Sequence, residues 1–74
     1  MKGIIMNKPN WKDAPEWANY LAMDSDGSWY WFELEPWYDE PNGIWYCANK
    51  HYSISNRSEE AARPISSISL EKRP

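Results

Sequence analysis

Residues 18–34 read Ala18-Asn19-Tyr20-Leu21-Ala22-Met23-Asp24-Ser25-Asp26-Gly27-Ser28-Trp29-Tyr30-Trp31-Phe32-Glu33-Leu34. The second part, residues 28–34, is the clearest strand signal in the chain. Its centre holds four consecutive aromatic residues, whose flat side chains suit a pleated, half-buried surface. Asp24-Ser25-Asp26-Gly27 is a turn signal whose glycine can take a positive φ. Read as a four-residue connection, it pairs Met23 with Ser28, Ala22 with Trp29 and Leu21 with Tyr30. One face of that hairpin would carry Leu21, Met23, Tyr30, Phe32 and Leu34. The other would carry Tyr20, Ala22, Trp29, Trp31 and Glu33. A helix is the rival for residues 18–23. Trp17, Tyr20 and Leu21 have i, i+3, i+4 spacing, and Asp13 with Glu16 forms a capping box around Pro15. The turn that follows favours the hairpin.

Downstream, Pro36 ends the strand because it has no N–H for a ladder. Pro36-Trp37-Tyr38-Asp39-Glu40-Pro41-Asn42-Gly43 reads as a loop that is acidic and aromatic at once. Residues 44–48 read as a third strand, antiparallel to the second. Tyr52 and Ile54 suggest a short fourth. Residues 58–63 fit one helical turn capped by Ser58 and stopped by Pro64. These signals predict an arm over 1–10, an aromatic β-rich domain over 11–56 and a serine-rich, partly ordered segment over 57–74. The expected architecture is a small α+β domain: a short N-terminal helix or turn and a three- or four-stranded antiparallel sheet.

Charge is segregated along the chain. Net charge is −3 over 74 residues, yet residues 13–49 carry eight carboxylates and no lysine or arginine. Eleven of the twelve aromatic residues lie between Trp11 and Tyr46, inside or beside that acidic stretch. Valine is absent and leucines are only Leu21, Leu34 and Leu70, so aromatic rings, at roughly 150–250 Å² each, must supply most of the buried area. An acidic, lysine-free surface is unsuited to phosphate contacts, which excludes direct nucleic-acid binding there and suits a basic protein partner. No apolar run approaches membrane-spanning length and no secretory pattern stands out, so the expectation is a cytoplasmic protein without a membrane partner.

Catalytic and metal chemistry find little support. Cys47 is the single cysteine and His51 the single histidine, two short of a zinc site. Cys47 reads as an inert thiol in a reducing compartment. Asp24-Ser25-Asp26-Gly27 faintly resembles the start of a calcium loop, but Ser28 and Tyr30 stand where further ligands belong. Glu33 and Glu35 sit two apart on one strand face, a spacing that reads as a solvated edge rather than an acid–base pair. The expectation is a non-enzymatic protein with no cofactor. A WW-type peptide-binding module shares an early tryptophan and a glycine turn, matched by Trp17, Gly27, Tyr30 and Phe32. The stretch after the middle strand departs from that pattern, so the likeness is architectural.

Trp11-Lys12-Asp13-Ala14-Pro15-Glu16-Trp17-Ala18, continuing through Asp24-Ser25-Asp26-Gly27-Ser28-Trp29-Tyr30-Trp31-Phe32-Glu33, resembles a group of small accessory proteins of tailed phages and prophages. The ending Ser69-Leu70-Glu71-Lys72-Arg73-Pro74 is similar to their C-terminus. The resemblance covers about half the chain and transfers no functional residue. It implies a protein acting in the bacterial host cytoplasm. Together with the charge pattern it suggests binding and blocking a host protein with a basic surface, in counter-defence of the anti-CRISPR or other anti-nuclease type. Glu33, Glu35, Trp37, Tyr38, Asp39 and Glu40 are the expected partner-binding residues. The other expectation is a phage structural or assembly protein that self-associates, as a homodimer or larger, through the Trp29 and Trp31 face.

Overall fold

The computed structural model describes residues 8–48, 51–60 and 63–74 (for 52, 53, 55 and 56, the backbone alone). Most of the expected arm, residues 1–7, lies outside the described residues, as does the centre of the helical turn expected over 58–63. Among the described residues, six strands form two antiparallel sheets. The strands are β1 (Tyr20–Met23), β2 (Ser28–Phe32), β3 (Trp37–Asp39), β4 (Ile44–Tyr46), β5 (His51–Arg57) and β6 (Glu71–Lys72). The larger sheet has the order β5-β2-β1-β6, and β3 pairs with β4 in a separate hairpin.

Several expectations are corrected. Helical structure among the described residues is limited to 3-10 turns, so the protein is mostly β rather than clearly α+β. The N-terminal turn spans Trp11–Asp13 and is capped by Asn10, whose side chain accepts from the Lys12 N–H. It stops at Ala14, which is extended, as the residue before a proline prefers. The Asp13 and Glu16 capping box therefore does not start a helix. Residues 20–23 form the favoured strand. The loop expected over 36–43 contains β3, and β4 pairs with β3 rather than with β2. The partner of β2 on that side is β5.

The hairpin register is also one residue from the expected one. Met23 pairs with Trp29, Ala22 with Tyr30, Leu21 with Trp31 and Tyr20 with Phe32. The cause lies in the turn. The Gly27 N–H donates to Asp24 O at 2.9 Å, and the Asp24 N–H donates to Ser28 O at 2.9 Å. Gly27 sits at φ 92° and adds a bulge residue to a β-turn, so five residues, not four, span the strands. A one-residue slip exchanges faces. The core face carries Leu21, Met23, Trp29 and Trp31; the opposite face carries Tyr20, Ala22, Tyr30 and Phe32.

Both faces are covered. Trp29 and Trp31 are 1% and 3% exposed, and Trp11, Ala14, Trp17 and Ile54 pack over them. Trp11 and Trp31 meet as tilted rings with centroids 4.9 Å apart. The Trp29 indole N–H donates to the Ser58 hydroxyl at 2.9 Å. The Ser69 hydroxyl takes the place of a strand partner at the end of β1. It accepts from the Met23 N–H at 2.9 Å and lies 3.2 Å from the Met23 carbonyl. β6 then pairs with Tyr20 and Leu21. A 3-10 turn at Ser66–Ile68 ties the second sheet to the first. Tyr38 Oη and Ser66 Oγ are 2.6 Å apart, and the Trp45 indole donates to Ser66 O at 3.0 Å.

Candidate functional site

Strand alternation separates the two aromatic residues of the acidic segment. On β3, Tyr38 faces inward, where its ring meets Trp45 at 5.1 Å. Trp37 faces outward and is 57% exposed. Its cross-strand partner Tyr46 is 43% exposed, and the two ring centroids are 6.1 Å apart. Asp39 lies on the Trp37 side of the strand and accepts from the Asn42 side chain at 2.7 Å. Glu40 is exposed in the following turn. That turn closes through the Gly43 N–H to Asp39 O at 2.8 Å, with Gly43 at φ 66°.

Glu33 and Glu35 lie elsewhere. They line a shallow cleft of about 430 Å³ with Tyr20, Leu34, Lys72 and Arg73. The six expected binding residues thus divide into three groups. Trp37 and Glu40 are exposed at one edge, with half-buried Asp39 between them. Glu33 and Glu35 line the same cleft as Lys72 and Arg73. Tyr38 is largely committed to internal packing.

The sequence expectation overlooked Asp24. Its alternation with Ala22 places it on the second face of the sheet, beneath β4. It is 8% exposed, and its Oδ1 accepts from the Trp45 N–H at 2.9 Å. Burial pushes its carboxyl above the ordinary aspartate value; the Trp45 N–H opposes this, the Asp26 charge adds to it and His51 opposes it. Asp26, two residues on, shifts the other way. Partial burial acts upward but is outweighed by hydrogen bonds from the Ser28 backbone and hydroxyl and by Arg57 and Arg63. The Arg57 guanidinium lies 3.8 Å from the Asp26 carboxylate, and its Nε donates to Asp26 O at 2.9 Å.

These opposite shifts have opposite consequences for stability. Folded Asp24 holds its proton more tightly than the unfolded chain does. Stability therefore falls as pH rises from the ordinary aspartate value through the higher folded one. The contribution of Asp26 is present above the ordinary value and is lost as pH falls through the lower folded one. A carbon-detected NMR titration should place the Asp24 midpoint above that of Asp26. Asp24→Asn keeps an oxygen for the Trp45 N–H. Its urea midpoint should rise relative to wild type as pH rises through the Asp24 window; a constant difference would refute the assignment.

A second cleft, of about 210 Å³, lies between the sheets beside Asp24. Tyr30, Phe32, Trp45, Tyr46 and His51 line it. Phe32 pairs across strands with His51, and their rings stack at 6.1 Å and 30°. Cys47 also borders the cleft, with its thiol 3.4 Å from Leu34 O. Among the described residues, no three His, Cys, Asp or Glu side chains gather as metal ligands. No helix among them is long and apolar enough to cross a membrane. Comparison with protein-family models, curated proteins and solved structures finds no match to this chain.

Proposed function

We propose that this chain is a non-enzymatic accessory protein, of the phage kind its N-terminal motif resembles, that binds and blocks a basic surface of a host protein. Counter-defence is the leading version. CRISPR complexes and other nuclease systems present grooves lined with lysine and arginine for nucleic acid, and a compact acidic protein can occupy such a groove. The observation that carries the reading is the exposed edge of the β3 and β4 hairpin. Trp37 and Tyr46 stand in solvent beside Asp39 and Glu40, in a segment without lysine or arginine. Tryptophan and tyrosine anchor protein interfaces, and a carboxylate rim steers a cationic partner toward them. Self-association through Trp29 and Trp31 is less favoured, because those rings pack inside the monomer.

The test is capture of a partner from host lysate by the tagged protein, followed by binding of the purified pair. Trp37→Ala should weaken binding by about 30-fold, the lower bound of a hot-spot residue. Asp39→Lys with Glu40→Lys should slow association and flatten its salt dependence. Unchanged capture and unchanged phage fitness with the charge-reversed protein would remove this surface from consideration.

A further inference from the structure

The cleft between the two sheets combines features that the exposed edge alone does not use. Its walls are aromatic: Tyr30, Phe32 and His51 contact one another as rings, with Trp45 and Tyr46 opposite on the second sheet. One carboxylate, Asp24, borders it. Among the described residues no lysine or arginine pairs with Asp24, although two arginines approach the turn that carries it. Arg57 is taken by Asp26, and Arg63 donates to Ser58 O at 3.1 Å and Ser25 O at 3.4 Å. Tyr46 joins the cleft to the exposed edge, because its ring also neighbours Trp37. At about 210 Å³ the space is below the roughly 300–1,000 Å³ of small-molecule sites and suits a single side chain.

We propose that this cleft receives one arginine side chain of the partner, with the guanidinium against the Phe32 and His51 rings and hydrogen-bonded to the Asp24 carboxylate. The inference rests on the reading that the partner is a basic protein. Aromatic faces attract cations through the ring quadrupole. A guanidinium is planar, can stack on a ring and donates in its own plane, whereas an ammonium is a compact, strongly hydrated charge. Burial disfavours the charged form of Asp24 and outweighs the help that the Trp45 N–H and His51 give it, so an entering cation adds compensation beyond what the chain supplies. The arginine would occupy the centre of the interface, with Trp37, Asp39 and Glu40 at its side.

The test is an NMR titration of the full chain at neutral pH with acetyl-Gly-Arg-Gly-amide. Citrulline and lysine versions of the same peptide serve as comparisons, citrulline being a neutral mimic of arginine. The arginine peptide should give saturable shifts at the Trp45 amide and the His51 ring. Asp24→Asn should weaken it about tenfold, the value of one charge-assisted hydrogen bond. Equal shifts from the citrulline peptide in the wild-type protein would overturn the proposal even if Asp24→Asn failed to fold. Equal affinity for the lysine peptide would overturn the planar stack, and shifts confined to Trp37 and Glu40 would overturn the location. No host partner is needed. The cleft can therefore fail while charge reversal at Asp39 and Glu40 still abolishes capture, and the exposed edge can fail while the cleft still binds arginine.

Discussion

Trp29→Ala is expected to destabilise the protein by about 3–5 kcal/mol, the usual cost of truncating a buried aromatic residue. A 74-residue chain has only roughly 4–11 kcal/mol of net stability at ordinary per-residue values, so the variant should lose from about a quarter to all of it. Trp29 is 1% exposed and is the second residue of β2. The loss combines its transfer free energy, the cavity left among Leu21, Met23 and Trp31, and the indole bond to Ser58. Trp29→Phe separates these effects. It keeps most of the apolar area and removes the donor, so it should cost about 1–2 kcal/mol. Trp37→Ala should stay within about 0.5 kcal/mol, because the ring is mostly in solvent. Urea denaturation checks all three, with a changed midpoint at constant slope as the signature. A Trp29→Ala protein as stable as wild type would contradict this core.

Gly27→Ala is the second large effect, about 3 kcal/mol, from left-handed backbone strain of about 1–3 kcal/mol and a lost backbone bond. Its φ of 92° is unfavourable for any residue with a Cβ. A Cβ built there would lie 2.5 Å from Arg63 Nε and 2.7 Å from Ser58 O. The arginine can swing aside, but the Ser58 carbonyl is backbone, held close because the Ser58 N–H donates to Gly27 O at 3.0 Å. The substitution should therefore free Ser58 as well as strain the turn. Faster hydrogen exchange at the Ser58 amide and the Trp29 indole would show this. Slow exchange with an unchanged urea midpoint would count against it. Gly43 has a milder conflict, since the nearest atoms to its Cβ belong to the Ser25 side chain.

The existence of the β1 and β2 hairpin was legible in the sequence because its signal is local: four aromatic residues after a glycine turn. Its register was not. Asp24-Ser25-Asp26-Gly27 looks the same whether it closes a four-residue loop or a turn with a bulge, and the hydrogen bonds decide. That one residue sets Trp29 and Trp31 on the face of Leu21 and Met23, where the four-residue reading placed Tyr30 and Phe32. Phe32 is buried as well, since both faces are covered. The partners of β1 and β2 at the sheet edges were not legible either, because β5 and β6 pair over long separations without local pattern. In the serine-rich stretch, Ser58, Ser66 and Ser69 hold indole, phenol and backbone groups, contacts that composition does not reveal. For the site, the exposed Trp37 was readable from its turn-rich, acidic surroundings. Asp24 was hidden behind its role in the turn.

The closure of β1 by the tail bears on how the chain acquires its structure. Met23 and Ser69 are 46 residues apart, and the Trp11 indole donates to a Glu71 carboxylate 60 residues away. Contacts of such span form slowly, because the entropy of closing the loop is lost before the contact returns anything. During synthesis the outer edge of β1 stays open until the chain through Lys72 has left the ribosome. Until then the nascent protein offers an unpaired strand to its neighbours.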